Sequence, residues 1–218
     1  RKRCRLMAPI LSLEFTEVEC KVVQLDQGRG GRATIKSASA FDLTKPDDPA
    51  VRIAERTKAL REHLKANRIA ARTATVVIPK NFVMVRPVTL PSTVDDEIAG
   101  MARFEAERHI PFNAERHITS YHVLSKNGAQ GSNVLLAAVD LPIAQEYLDI
   151  CVNAGLRVTG ISVSSAALYN TFAATRQDAL AGRTVMVVNI GKSATDLVII
   201  SDGAVTFTRG STTGVNRL

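Results

Sequence analysis

Tryptophan is missing from this sequence and aromatic residues make up only 5% of it, which removes the stacking platforms that single-stranded nucleic-acid binders use. Cysteine is scarce as well. Cys4, Cys20 and Cys151 stand far apart with no CxxC or Cys/His spacing, so neither a disulfide framework nor a zinc site is expected. That usage fits a reducing compartment. No stretch reaches the roughly 18 consecutive apolar residues of a membrane span, and no secretory h-region follows the basic start. Acids are outnumbered, with 28 Lys and Arg against 21 Asp and Glu and a net charge of +7. Arg1, Lys2, Arg3 and Arg5 supply four of those charges, leaving about +3 for the rest of the chain. So thin a spread argues against nucleic acid as a partner. The basic start reads as a terminal arm. Its functional alternative is weak attraction to acidic lipid headgroups, at ~1 kcal/mol per charge near the surface.

What is present suits a globular protein: 218 residues, 45% apolar and 22% charged, enough for one large domain or two small ones. PILSLEFTEVECKVVQL reads as two strands around a tight turn near Thr16 and Glu17, QGRGG as a turn, and ATIKSASAFDL as a third antiparallel strand. Asp48-Pro49 starts a helix running to about Asn67, with Val51, Ile53, Ala54, Leu60 and Leu64 as its inner face. Strands follow at 73–79 and 82–91. Ser92 and Thr93 cap a helix whose expected inner face is Val94, Ile98, Met101 and Phe104, ending at Pro111. HITSYHVL and SNVLLAAVD are strands, Pro142 opens a helix that Gly155 stops, RVTGISVSS is a strand, and a helix follows it. Strands at 184–190, 194–201 and 204–208 close the chain with no helix after them, which predicts a sheet with an open face and a longer parent protein. The order defines a mixed α/β protein.

Chemistry concentrates in VVNIGKSATDLVII. Two strands flank a turn in which Gly191 permits φ > 0 and close approach to the backbone. Lys192, Ser193 and Thr195 add a cation and hydroxyls that suit phosphate oxygens. A plain polar turn would look much the same. The pattern occurs twice, however. LSLEFTEVECKVVQL is also strand, polar turn, strand, with Glu14 two residues before Thr16 as Asn189 stands two before Gly191. Other candidates read blandly. His117 and His122 fall on opposite faces of a strand, with His109 at a helix end, so no metal site is expected. Glu105 and Glu107 point to different helix faces as salt-bridged surface groups, and Ser164 and Ser165 read as helix caps.

Two facing hairpins of this kind form the phosphate clamp of actin-like folds, and the chain resembles the PilM-type actin-like proteins of type IV pilus assembly, related to the cytoplasmic domain of the type II secretion protein GspL. The resemblance covers residues 10–218. It rests on KVVQL, on VVIPKNFVMVRPVTLPSTVDDEIAGMARFEAERHIPF with its Glu105, Ala106, Glu107, Ile110, Pro111, Phe112 signature, on the strand, helix, Ala-Gly-Leu, strand, helix unit after residue 132, and on FTRGSTTGVN. It implies an actin-like, ribonuclease H-like ATPase fold with a small inserted α+β subdomain, C-terminally incomplete. Residues 8–72 and 141–182 would form the first domain, 73–140 the insertion and 183–218 the start of a second domain.

The resemblance also implies ATP with Mg²⁺ as cofactor, held through Glu14, Thr16, Asn189, Gly191, Lys192, Ser193, Thr195, Asp196 and Gly214. The family's Asp-Ile-Gly is Glu14-Phe15-Thr16 here, its Asp-x-Gly is Asn189-Ile190-Gly191, and one glycine of its Gly-Gly-Asn is lost before Asn216. An Asn supplies no carboxylate for the metal or the attacking water, so a degenerate site with weak or absent ATPase activity is expected. The implied role is a cytoplasmic scaffold at the inner-membrane face. Its partner would be the tail of a PilN-like or GspM-like bitopic membrane protein, seated between the first subdomain and the inserted one. The alternative is an active phosphotransferase of the same superfold.

Overall fold

The computed structural model describes residues 9–27, 33–109 and 116–217. The basic arm, Cys4, residues 28–31 of the expected glycine turn and the Ile110, Pro111, Phe112 end of the signature lie outside them. The chain forms two compact units. One takes the chain up to Ile78 together with Gln145–Ser162, and the other takes Pro79–Ala144 and the chain from Val163 onward.

The first unit is built on a five-stranded sheet of order β3-β2-β1-β4-β8, formed by β1 (Ile10–Phe15), β2 (Glu19–Gln27), β3 (Ala33–Asp42), β4 (Thr73–Ile78) and β8 (Arg157–Val163). β1 and β2 pair antiparallel, β1 and β4 parallel. Alternation along β1 buries Leu11, Leu13 and Phe15 completely. Phe15 stacks on Tyr147 at 5.4 Å between ring centroids. β4 joins this sheet and buries Val76, Val77 and Ile78.

Helix α1 (Pro49–Ala66) starts where Asp48-Pro49 predicts: the Asp48 carboxylate accepts from the amides of Ala50 and Val51 at 2.7 and 3.1 Å. Its inner face differs from expectation. Val51 is 45% exposed, and the buried residues are Arg56, Thr57, Leu60 and Leu64. An arginine lies inside because its donors find partners there. The Arg56 guanidinium donates to the carbonyls of Glu17 and Thr44, each at 3.3 Å, and to Glu146 on α3 (Leu141–Asn153) at 3.5 Å. Arg52 grips the same carboxylate with two bonds of 2.8 and 2.7 Å. These two arginines thus tie the β1–β2 turn, the approach to α1 and α3 together.

The second unit holds two three-stranded sheets, of order β5-β7-β6 and β11-β10-β9. In the first, α2 (Asp95–His109) lies on β5 (Val83–Leu90), β6 (His117–Lys126) and β7 (Ser132–Asp140). Ile98, Ala102 and Ala106 pack there with Leu90, Val134, Leu136 and Ala138. Of the expected face Ile98 is buried and Met101 packs against the cluster, but Val94 and Phe104 are 54% and 60% exposed. Alanines one turn apart let the helix approach β7 closely, and a reading weighted toward large side chains misses such a stripe. The signature acids are surface groups, Glu105 paired with Arg108 at 2.9 Å and Glu107 with Arg103 at 3.8 Å.

The other sheet comprises β9 (Thr184–Ile190), β10 (Thr195–Ser201) and β11 (Ala204–Ser211). Helix α4 (Ser164–Thr175) covers one face, with Leu168, Tyr169 and Phe172 against Val198, Ile200 and Val205. The opposite face shows Met186, Val188, Ile190 and Phe207, from 45% to 61% exposed. The expected serine caps of α4 do not form. Its N-cap position is Val163 without a side-chain bond, and Ser164 Oγ instead accepts from the amide of Lys80 at 2.8 Å.

Candidate functional site

The first hairpin, in the first unit, closes on its own threonine. Thr16 Oγ1 donates to the Glu19 carbonyl at 3.0 Å and accepts from the amides of Glu19 and Val18 at 3.0 and 3.3 Å. This turn chemistry is typical of a hydroxyl that bonds backbone a few residues on. Thr16 is thereby committed to shaping the turn. Glu14 stands opposite Lys21 in the β1–β2 register, and Lys21 Nζ donates to its carboxylate at 2.9 Å.

In the second unit the β9–β10 hairpin and the loop after β11 are laced together through backbone. Gly191 N–H donates to Ala194 O at 2.8 Å, Val215 N–H to Gly191 O at 3.0 Å, and Asn216 N–H to Lys192 O at 3.1 Å. Thr195 Oγ1 donates to Thr213 O at 2.7 Å. Gly191 is not in the left-handed region expected for it. It is glycine because a Cβ would meet Ala194 O at 2.9 Å. Gly214 is held more tightly still: its Cβ would lie 2.5 Å from Gly191 O and 2.7 Å from Ala194 N. Lys192 and Ser193, at the tip, are half-buried.

Behind the tip, Asn189 and Asp196 face each other across the β9–β10 ladder. Asp196 is 6% exposed, and its other neighbour, on β11, is Gly210. That glycine leaves room for the one-turn 3-10 helix Lys80–Phe82 to lie on the sheet; a Cβ at 210 would come within 2.8 Å of Asn81 N and 3.2 Å of Lys80 Cβ. Lys80 Nζ donates to Val83 O at 3.0 Å. Burial pushes the Lys80 ammonium below its ordinary pKa, while the Asp196 charge pulls it back up. Next to this cluster lies a cavity of about 520 Å³, lined among others by Asn81, His117, Asp140 and Thr208. His117 pairs with Asp140 at 2.8 Å.

Of the residues expected to hold nucleotide, Glu14 and Thr16 therefore belong to one unit, while Asn189, Gly191, Lys192, Ser193, Thr195, Asp196 and Gly214 gather in the other. Sequence reasoning missed Lys21, Lys80 and Gly210. Lys21 was findable, because a hairpin centred near residue 17 sets it opposite Glu14. Lys80 and Gly210 carry no local signal. The side chains present do not fit Mg²⁺, an ion that takes oxygen ligands from one or two carboxylates. Glu14 is bonded by Lys21, Asp196 is buried, and Asn189 is neutral.

An α/β chain with a five-stranded sheet of this order in one unit and a polar strand-turn-strand hairpin in each unit has the actin-like fold. A protein of Bacteroides thetaiotaomicron described as having an actin-like ATPase fold and unknown function matches 94% of the chain and 70% of its own, at 14% identity and a TM-score of 0.55. The family described as type IV pilus assembly protein PilM matches residues 13–218, and the chain belongs to it. A PilM-PilN type IV pilus biogenesis complex superimposes with a TM-score of 0.80 at 22% identity over 97% of this chain, which spans 63% of the matched chain's length. The cytoplasmic domain of EpsL, an inner-membrane component of the type II secretion system of Vibrio cholerae, matches with a TM-score of 0.56 at 13% identity, covering 94% of this chain and 71% of that one. Among the described residues no helix is long and apolar enough to cross a membrane.

Proposed function

We propose that the protein is a cytoplasmic scaffold of the inner-membrane platform of a type IV pilus or type II secretion machine. It docks the short cytoplasmic tail of a bitopic PilN-like membrane protein, or of its GspM-like counterpart, and carries a degenerate nucleotide site. The observation that carries the docking role is family membership across residues 13–218, and a matched structure that is itself a PilM-PilN complex supports it. The charge state of the hairpins supports the degenerate site. Asn189 offers no negative charge, and the carboxylate beside it is 6% exposed, so the preorganised metal and oriented water that phosphoryl transfer needs lack their ligands.

The test is fluorescence anisotropy with labelled peptides copied from the cytoplasmic N-terminal tails of bitopic proteins encoded alongside this one. Saturable binding of one tail in the absence of nucleotide is expected, and no binding by any tail would overturn the docking role. Calorimetry with Mg·ATP on the same protein should show no turnover. Tight binding with rapid hydrolysis would sink the degenerate site.

A further inference from the structure

Positive charge is thinly spread along the sequence but not across the first unit. β1 and β4 run parallel, with Ile10 beside Thr73, and the Arg157 amide donates to Arg72 O at 2.7 Å. β4 and β8 therefore start side by side at the end of the sheet opposite the Thr16 turn, and α1 ends at Ala66, shortly before β4. Six exposed cations gather at this end: Lys58, Arg61 and Lys65 along one stripe of α1, Arg68 after it, Arg72 before β4 and Arg157 at the start of β8. Glu62 stands on the same stripe. Among the described residues none of the six pairs with a carboxylate. Arg61 donates to Asn153 O at the end of α3, Arg72 to the carbonyls of Ile69 and Ala71, and Arg157 to Thr73 Oγ1, bonds that leave each charge unneutralised. The Thr16 end is the opposite case, because Lys21, Lys45, Arg52 and Arg56 each meet a carboxylate there. Arg68 is also held at φ 52°, the left-handed position after a helix where glycine is usual. A long cation thus stands where the backbone alone favours no side chain. We propose that this end of the first unit is a docking face for anionic lipid headgroups, so that the protein touches the membrane directly as well as through a partner tail. The proposal rests on placing the protein at an inner-membrane platform. Lys and Arg clustered on one surface are drawn by the negative potential of a cytoplasmic leaflet within a Debye length. Residues 58–72 contain no Phe, Tyr or Trp on which the bases of a single strand would stack.

Vesicle flotation of the full chain tests this, with equimolar phosphatidylglycerol and phosphatidylcholine against phosphatidylcholine alone. The wild type should float with the anionic vesicles only and be released as salt is raised. One cation at the surface changes binding about fivefold. Lys58→Gln, Lys65→Gln, Arg68→Gln and Arg157→Gln together should therefore weaken it at least about fiftyfold. Glu62→Gln should tighten it several-fold, a gain that misfolding does not supply. Removing four cations elsewhere, by Arg86→Gln, Arg103→Gln, Lys126→Gln and Arg183→Gln, should cost less than about threefold, which separates the face from net charge. No flotation of the wild type, an equal loss in both sets, or a loss confined to deletion of residues 1–5 would overturn the proposal. So would tighter capture of a random DNA duplex than of anionic vesicles at the same salt. Tail-peptide binding is measured without lipid, so failure of flotation leaves the docking role standing and the reverse also holds.

Discussion

Replacing Glu146 by Gln removes one negative charge while keeping side-chain size, and the surroundings set the cost. Glu146 accepts two bonds from Arg52, at 2.8 and 2.7 Å, and one from Arg56 at 3.5 Å. The Arg56 side chain is 5% exposed and that of Arg52 21%. Breaking a buried pair by removing one partner costs about 3–5 kcal/mol, because the remaining charge is stranded. Arg52 keeps some water and a bond to Pro46 O at 2.9 Å, which lowers the expectation to about 2–4 kcal/mol. For a chain of this size that is a Tm drop of roughly 5–15 °C. Arg52→Met should cost less, about 1 kcal/mol, since Arg56 still neutralises Glu146. Urea unfolding followed by circular dichroism reads both. Arg56 also holds the Glu17 carbonyl at 3.3 Å, so amide exchange at Val18 and Glu19 should accelerate in Glu146→Gln. A loss below about 0.5 kcal/mol with unchanged exchange would refute the idea that this ion network anchors the first hairpin.

On α2, Ile98→Ala should cost about 2–4 kcal/mol by thermal melting, whereas Phe104→Ser should stay within about 0.5 kcal/mol; equal losses would contradict the observed inner face. Gly214→Ala places a Cβ between the backbones of residues 191 and 194. It should cost about 1–3 kcal/mol and loosen the Val215 amide in hydrogen exchange, and a neutral effect would deny that close approach. Burial pushes the Cys151 thiol from 9.0 up to about 12 and raises that of Cys20 as well. The native state then holds these protons longer than the unfolded chain, so stability falls as pH rises from about 9 toward 12. Denaturation at stepped pH should show the fall and Cys151→Ala should flatten it, while an unaltered slope would count against the burial argument.

Much of the fold was legible because it is written locally. Asp48-Pro49 places the start of α1, Gly155 stops α3, and alternation in ILSLEF already marks Leu11, Leu13 and Phe15 as core, because a strand turns every second side chain to one face whatever lies beyond it. Both hairpins were legible for the same reason, together with the telling Asn189. Burial depends on what arrives from elsewhere, and there local reasoning erred. The inner face of α2 is chosen by β7, which accepts Ala102 and Ala106 and turns Phe104 outward. Arg56 is inside α1 because three distant oxygen groups receive it.

The charge balance of the candidate site divides between the two levels. Sequence alone determined that residue 189 is neutral and that Glu14 and Asp196 are acids. Only folding decided that Asp196 is buried while Glu14 is bonded by Lys21, because burial and electrostatic pairing act over a few ångströms of space rather than along the chain. The missing side chain at Gly210 likewise matters only in the fold, where the Lys80–Phe82 turn comes to rest on the sheet at that point.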